Sequence, residues 1–294
     1  MFQLRAVLLL GLTLLAAPSH AALDADSAAM NQPVAPFKLI GDIYYVGASD
    51  ITSYLIATPQ GLIVLDGGFA ETEPQIERNV AVLGFKLSDV KVLLNGQAHV
   101  DHAGGLAELK RKTGATLAAS AADAALMARG GQGDPQFGDK YHYEPVRADR
   151  LLKDGDTVEL GGVVMTAHLT PGHTKGCTTW TMRATDGGRP YDVVFLCGVT
   201  TPGYQLVGNS RYPDIVADFT RSFATLRALP CDVFLGAHGA YFGFMGKLAR
   251  LQRHEPGNPF VDPQGYKDYL TEAEKAFRQK VVDEQKKLGD NTAL

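Results

Sequence analysis

Apolar positions in the first part of the chain come in short runs broken by turn residues. Four such runs lie at 37–40, 43–46, 53–57 and 62–65. Gly41-Asp42, Ala48-Ser49-Asp50 and Pro59-Gln60-Gly61 separate them, and Asp66-Gly67-Gly68 ends the last. This pattern predicts an antiparallel meander of four strands. At 71–83 the period changes: Ile76, Val80 and Leu83 recur at helical spacing, with Thr72 placed to cap. A strand at 90–94, a polar loop and a helix from about Gly105 to Thr113 follow. A strand at 116–119 and an alanine-rich helix at 121–128 continue the series.

Beyond residue 130 the pattern loosens. The stretch 130–138 is rich in Gly, Asp and Pro and is expected to be a mobile loop. Strands are expected at 157–160, 163–169, 177–182 and 191–196, the last two joined by the turn Asp186-Gly187-Gly188. Ile215, Phe219, Phe223 and Leu226 share one face of a helix at 213–229. A short buried strand at 232–235 and a long charged helix at 266–287 complete the chain. No repeat is visible as sequence identity. The order strands, helix, then a histidine at a strand end nevertheless occurs twice, as expected of two stacked half-domains sharing a site at their common edge.

Residues 1–21 have a different character. Arg5 precedes an apolar run at 6–17, and Ser19-His20-Ala21 is a small-x-small cleavage signal. This is the form of an export signal removed after Ala21, too short to span a membrane comfortably. The mature protein is therefore expected to be periplasmic and free of the membrane. An apolar fraction of 45% supports a substantial core, and a net charge of −4 with both signs interspersed gives no basic stripe for nucleic acid. Three cysteines allow one disulfide and leave one thiol over.

The chemistry concentrates in Asn95-Gly96-Gln97-Ala98-His99-Val100-Asp101-His102-Ala103-Gly104-Gly105. Two imidazoles, a carboxylate and an amide on one strand-to-helix loop suit a borderline metal such as zinc. Thr170-Pro171-Gly172-His173-Thr174 and Gly236-Ala237-His238-Gly239 each present a further histidine in a turn at a strand end. Asp66 also ends a strand, and its carboxylate is expected to tie down the neighbouring loops. His142, His168 and His254 lie outside such turns and are assigned no role.

In order and spacing, Asp-Gly-Gly at 66–68, the metal-type loop, Pro-Gly-His-Thr at 171–174 and Gly-Ala-His at 236–238 resemble the metallo-β-lactamase superfamily. The resemblance covers nearly the whole mature chain. Finer features resemble its B3 subclass: Tyr54-Leu55-Ile56-Ala57-Thr58, Gly176-Cys177-Thr178-Thr179-Trp180, the segment from Thr201-Pro202-Gly203-Tyr204 to Asn209, and Leu229-Pro230-Cys231-Asp232. The resemblance implies one domain at 22–294, an α/β fold built as a four-layer αβ/βα sandwich, with two zinc ions at one edge. By matching motifs, Gln97, His99 and His173 form the first zinc site, and Asp101, His102 and His238 the second. Each ion then keeps an open position, as catalytic zinc does.

The implied activity is hydrolysis of the β-lactam amide bond by a metal-bound hydroxide, oriented by Asp101. The implied partner is a small-molecule β-lactam, met by a monomer. Thr200 is the candidate contact for the substrate carboxylate, and Tyr204 for a hydrogen bond near the oxyanion. Gln97 stands where the family usually has histidine, so the first site is expected to bind zinc more weakly than the second. A glutamine variant is known within the subclass. Lactonases and thioesterases of the superfamily are the rival reading. They usually carry a bridging Asp where this chain has Cys197-Gly198. A zinc-binding scaffold with little activity is the remaining alternative. A hairpin of 177–182 with 191–197 centred on Gly187 places Cys177 opposite Cys197, so a disulfide is expected there, with Cys231 left as a core thiol.

Overall fold

A computed structural model describes residues 23–292. The expected leader, 1–21, lies outside the described residues. β1 (Phe37–Ile40), β2 (Ile43–Tyr45), β3 (Tyr54–Thr58), β4 (Gly61–Leu65), β5 (Val90–Leu94), β6 (Thr116–Ser120) and β7 (Arg150–Leu152) form one sheet in sequence order. The expected meander is its antiparallel part, and β4 to β7 continue it in parallel. The second sheet, in the order β12-β11-β10-β9-β8, comprises β8 (Thr157–Leu160), β9 (Val163–Leu169), β10 (Thr178–Asp186), β11 (Arg189–Leu196) and β12 (Val233–Gly236).

Alternation along the first sheet sorts its side chains between two cores. Tyr54, Ile56, Ile63, Leu65 and Leu94 join Trp180 and Phe195 of the second sheet in one cluster. Leu55, Leu62, Val64, Leu93 and Leu117 point the other way, into a second cluster. That cluster also takes Ile76 and Val80 of α2 (Glu73–Val82), Leu106 and Leu109 of α4 (Leu106–Thr113), and Leu126 of α5 (Ala121–Met127). On the far side, Phe219 and Phe223 of α6 (Ile215–Ala228) pack on Phe277 of α8 (Pro263–Thr292), and Phe234 of β12 meets Tyr266 of α8 at 5.2 Å. The layers are therefore helices, sheet, sheet, helices, the expected αβ/βα sandwich. Burying a large apolar side chain stabilises by about 1.5–3 kcal/mol, so the cluster that Tyr54, Ile56, Ile63 and Leu65 share with Trp180 and Phe195 holds the two sheets as one body.

Several elements differ from the sequence-based expectation. α1 (Ala25–Met30) and α7 (Phe244–Gln252) were not expected, and neither was β7, whose Leu151 is exposed and gives no buried alternation. A one-turn helix, α3 (Val100–Ala103), lies inside the metal-type loop ahead of α4. Thr72 occupies the N-cap position of α2 without capping it. Its hydroxyl instead accepts the Phe69 N–H and donates to Asn31.

The 130–138 segment is tied rather than loose. Asp134 and Gly138 exchange backbone hydrogen bonds, and the Asp134 carboxylate accepts the Gln136 and Phe137 N–H groups, each at 2.7 Å.

Cys177 and Cys197 are joined by a disulfide, by a different register from the one expected. Trp180 pairs with Phe195, so the hairpin turns between Gly187 and Gly188 and the two cysteines sit diagonally. Their Cα atoms are 5.8 Å apart, within ordinary disulfide geometry, just outside the paired residues of β10 and β11.

Candidate metal centre

Loops leaving the ends of β4, β5, β9, β11 and β12 meet at one edge of the sandwich and bring the expected residues together. Asp66 follows β4 with φ of 63°, a left-handed conformation uncommon outside glycine. Its carboxylate accepts the Gly96 N–H at 2.7 Å and lies 3.6 Å from His102 Nδ1, so it does tie down the metal-type loop. Glycines let the two turns approach. The Gly67 N–H donates to the His102 carbonyl and the Gly105 N–H to Gly68, while a Cβ at Gly105 would collide with the Gly67 carbonyl.

Asp101, His102 and His238 converge. His102 Nε2 lies 3.2 Å from His238 Nε2, and Asp101 Oδ2 is 3.4 Å from each. Ligands about 2.0–2.1 Å from a tetrahedral zinc ion stand about 3.3–3.4 Å from one another, so this triangle has the dimensions of three zinc ligands. The residues fit the expected second site.

Of those expected for the first site, His99 and His173 adjoin. The His99 and His173 rings meet edge to face at 4.8 Å. Gln97 is fully buried, and neither of its amide atoms has a hydrogen-bond partner. Such orphan groups cost about 1–3 kcal/mol each, and a cation on Oε1 would satisfy one of them.

Each of these four histidines has an oxygen behind it. His238 Nδ1 lies 2.9 Å from Asp50, whose other oxygen accepts the Ala240 N–H. His102 Nδ1 faces Asp66, and His99 Nε2 lies 3.4 Å from Asp134. His173 Nδ1 donates to the Thr200 carbonyl at 2.9 Å. His238 and His173 thus each have one nitrogen held by an oxygen and the other left for metal, the usual outer arrangement of a metal-ligating histidine, while the carboxylates facing His102 and His99 stand beyond hydrogen bonding. Asp123 fastens the two loops of the first site. Its carboxylate accepts Ala98 N–H, Gly176 N–H and the Thr174 hydroxyl. Asp50, Asp134 and Asp123 were missed in the sequence: Asp50 read as turn punctuation and Asp134 as part of a glycine-rich loop.

The electrostatics follow from this crowding. Burial opposes charge on Asp101, but the His102 and His238 imidazoles outweigh it and hold the carboxyl well below its usual range. Burial likewise opposes charge on both imidazoles, yet Asp101, with Asp66 on one and Asp50 on the other, raises each to about 9. His173 has no such carboxylate. Burial and the neighbouring His99 lower it to about 3, so it is a neutral donor at physiological pH.

A groove of about 740 Å³ opens over the centre, within the size range of small-molecule sites. His99, Asp101, His173 and His238 line it with Thr200 and Tyr241, and Met30, Phe69, Phe137 and Tyr141 supply apolar wall. The Thr200 hydroxyl lies 3.4 Å from the Tyr241 hydroxyl. Tyr204, expected at the oxyanion, is placed otherwise. It is buried, does not line this groove, and its hydroxyl donates to the His173 carbonyl at 3.0 Å.

The family model of the metallo-beta-lactamase superfamily matches residues 46–238, and the chain belongs to that superfamily. It is an enzyme of the hydrolase class. Among solved structures, native FEZ-1 metallo-beta-lactamase from Legionella gormanii is 40% identical, with 87% of this chain and 98% of that chain covered and a TM-score of 0.85. BJP-1, a subclass B3 metallo-beta-lactamase of Bradyrhizobium japonicum, is 39% identical, covering 88% and 98%, with a TM-score of 0.82. A hydroxyacylglutathione hydrolase of Acidiphilium cryptum is 30% identical over 162 residues, 54% of either protein. The chain spans between about a third and just over half the length of the curated relatives it matches.

Proposed function

We propose that this chain is a zinc-dependent β-lactamase that opens the β-lactam amide bond of penicillins, cephalosporins and carbapenems, conferring resistance. The observation that carries the reading is the triangle of Asp101, His102 and His238, supported by the His99–His173 pair and the buried, unpartnered Gln97. In this reading Gln97, His99 and His173 hold one zinc ion and Asp101, His102 and His238 a second. Bound zinc supplies Lewis acidity and a water acidified to near neutral pH.

The chain's own residues supply the rest. Asp101, an ionised carboxylate at the groove surface, accepts a hydrogen bond from the attacking water and fixes its direction. Met30, Phe69, Phe137 and Tyr141 exclude bulk water and seat the apolar part of the substrate. Thr200 offers its hydroxyl to the substrate carboxylate. Tyr204 acts as a positioning residue, holding His173 through its carbonyl.

The curated relatives named hydroxyacylglutathione hydrolase favour a thioesterase as the second reading. Two features of the chain weigh against it. Cys197 is committed to the disulfide and Gly198 has no side chain, so neither offers the further carboxylate that the thioesterases usually carry there. The disulfide also suits an oxidising compartment, in line with export to the periplasm. Among the described residues no helix is long and apolar enough to cross a membrane.

The test is a paired assay of zinc-loaded protein with a chromogenic cephalosporin and with S-lactoylglutathione. The proposal expects cephalosporin turnover that a chelator abolishes and zinc restores, with little thioester hydrolysis. Preference for the thioester would transfer the chain to the second reading.

A further inference from the structure

The groove carries one charge that the hydrolytic chemistry does not use. Of the described residues lining it, Lys140 is the one Lys or Arg, and Asp101 the one carboxylate. Lys140 is exposed, and its ammonium rests over the Tyr141 ring, 4.7 Å from the centroid. The Tyr141 ring meets Phe137 edge to face at 5.2 Å, and Phe137 meets His99 at 5.1 Å. Hydrogen bonds fix this segment: the Asp134 carboxylate accepts the Phe137 N–H, and the Lys140 N–H donates to the Phe137 carbonyl. The ammonium is thus stationed at the end of an aromatic chain that begins on a candidate metal ligand.

Asp24, the N-cap of α1, interacts with Lys140 only through charge, while Ser27 and Met30 of the same helix line the groove. Thr200 offers a neutral hydroxyl already near Tyr241 and His173, so it can orient an anion without supplying countercharge.

We propose that Lys140 is a specificity-determining residue of the groove: its ammonium receives the carboxylate of an anionic β-lactam, giving preference for the acid over its neutral ester. The inference rests on the β-lactamase reading above. An ion pair at an exposed rim is screened by water and salt, so its contribution is modest. Such a contact is made equally before and during the reaction, so its loss raises KM and leaves kcat nearly unchanged.

The test compares a cephalosporin carboxylic acid with its methyl ester on zinc-loaded wild type and the variants Lys140→Ala, Lys140→Arg and Lys140→Glu. For the acid, Lys140→Ala is expected to raise KM about two- to fivefold. Lys140→Glu should raise it further and Lys140→Arg restore it, while the ester changes little in any variant. Salt should weaken the acid's advantage in wild type and not in Lys140→Ala. An equal change on acid and ester, or none on either, overturns the inference. If wild type hydrolyses neither compound, the β-lactamase reading falls. The same two compounds, then intact, are titrated calorimetrically into wild type and Lys140→Ala. A preference for the acid that Lys140→Ala removes supports the Lys140 contact, and equal affinities refute it.

Discussion

His102 Nε2 and His238 Nε2 stand 3.2 Å apart, although one follows β5 of the first sheet and the other β12 of the second. No local segment can make this contact: it exists once both sheets are packed. Metal affinity and tertiary structure are therefore coupled, because the ion that binds here binds only the assembled sandwich. The coupling also gives the outer carboxylates a measurable role.

Asp50 is the clearest of these. It reaches across 188 residues of sequence to orient His238 at 2.9 Å. Asp50→Asn is expected to weaken zinc at the second site about 10–100-fold, the usual effect of losing an outer carboxylate. Competition titration against a chromophoric chelator checks it, and unchanged affinity would remove Asp50 from the site.

The pH dependence has a definite sign. His102 and His238 are raised to about 9 in the metal-free fold, against about 6.5 in an unfolded chain. Their protonated forms stabilise that fold fully below about pH 6.5, and the contribution is lost as pH rises through about 9. The metal-free protein should therefore lose thermal stability across this interval. If zinc takes both imidazoles as neutral ligands, as proposed, zinc-loaded protein should not show that loss, and loading zinc at pH 7 should release protons. Melting curves across the interval, with and without zinc, read this directly. Parallel curves would contradict it.

On the proposed ligand set, Gln97 would make the centre asymmetric. A neutral amide oxygen is a weaker zinc donor than imidazole. Gln97→His should raise zinc affinity at the first site and leave the second unchanged. Equal first-site affinity in both proteins refutes the assignment of Gln97 as a ligand.

Tyr204 separates positioning from chemistry. Its hydroxyl donates to the His173 carbonyl. If that bond only positions His173, Tyr204→Phe should lower first-site zinc affinity modestly, with kcat near wild type at saturating zinc. A fall in kcat of about 100-fold under the same conditions, the size of a lost oxyanion donor, would return Tyr204 to the oxyanion.

The sequence made legible what is encoded over short spans. The meander at 37–65 alternates because one face of each strand meets the second sheet and the other meets helices. The metal-type loop was legible because several of its donors are packed into a few residues. What escaped depends on distance. Asp50 and Asp134 acquire their roles from His238 and His99, far along the chain, and nothing in their own neighbourhoods marks them. The Cys177–Cys197 bond was expected from a hairpin centred on Gly187, yet the turn uses Gly187 and Gly188 equally. A half-residue shift of centre moved the pairing by one, and the diagonal geometry still brought the sulfurs together. Trp180 shows the opposite case. Read as part of a subclass-type segment, it also proves to be a fully buried core residue whose indole N–H donates to the Asn95 carbonyl at the start of the metal loop.

The measurement that tests the central claim most directly is the rate of cephalosporin hydrolysis as zinc is returned to metal-stripped protein. The account predicts no turnover without metal, and activity that rises with zinc in wild type and stays near background in Asp101→Asn. Turnover that survives complete metal removal, or full activity in Asp101→Asn, would contradict it.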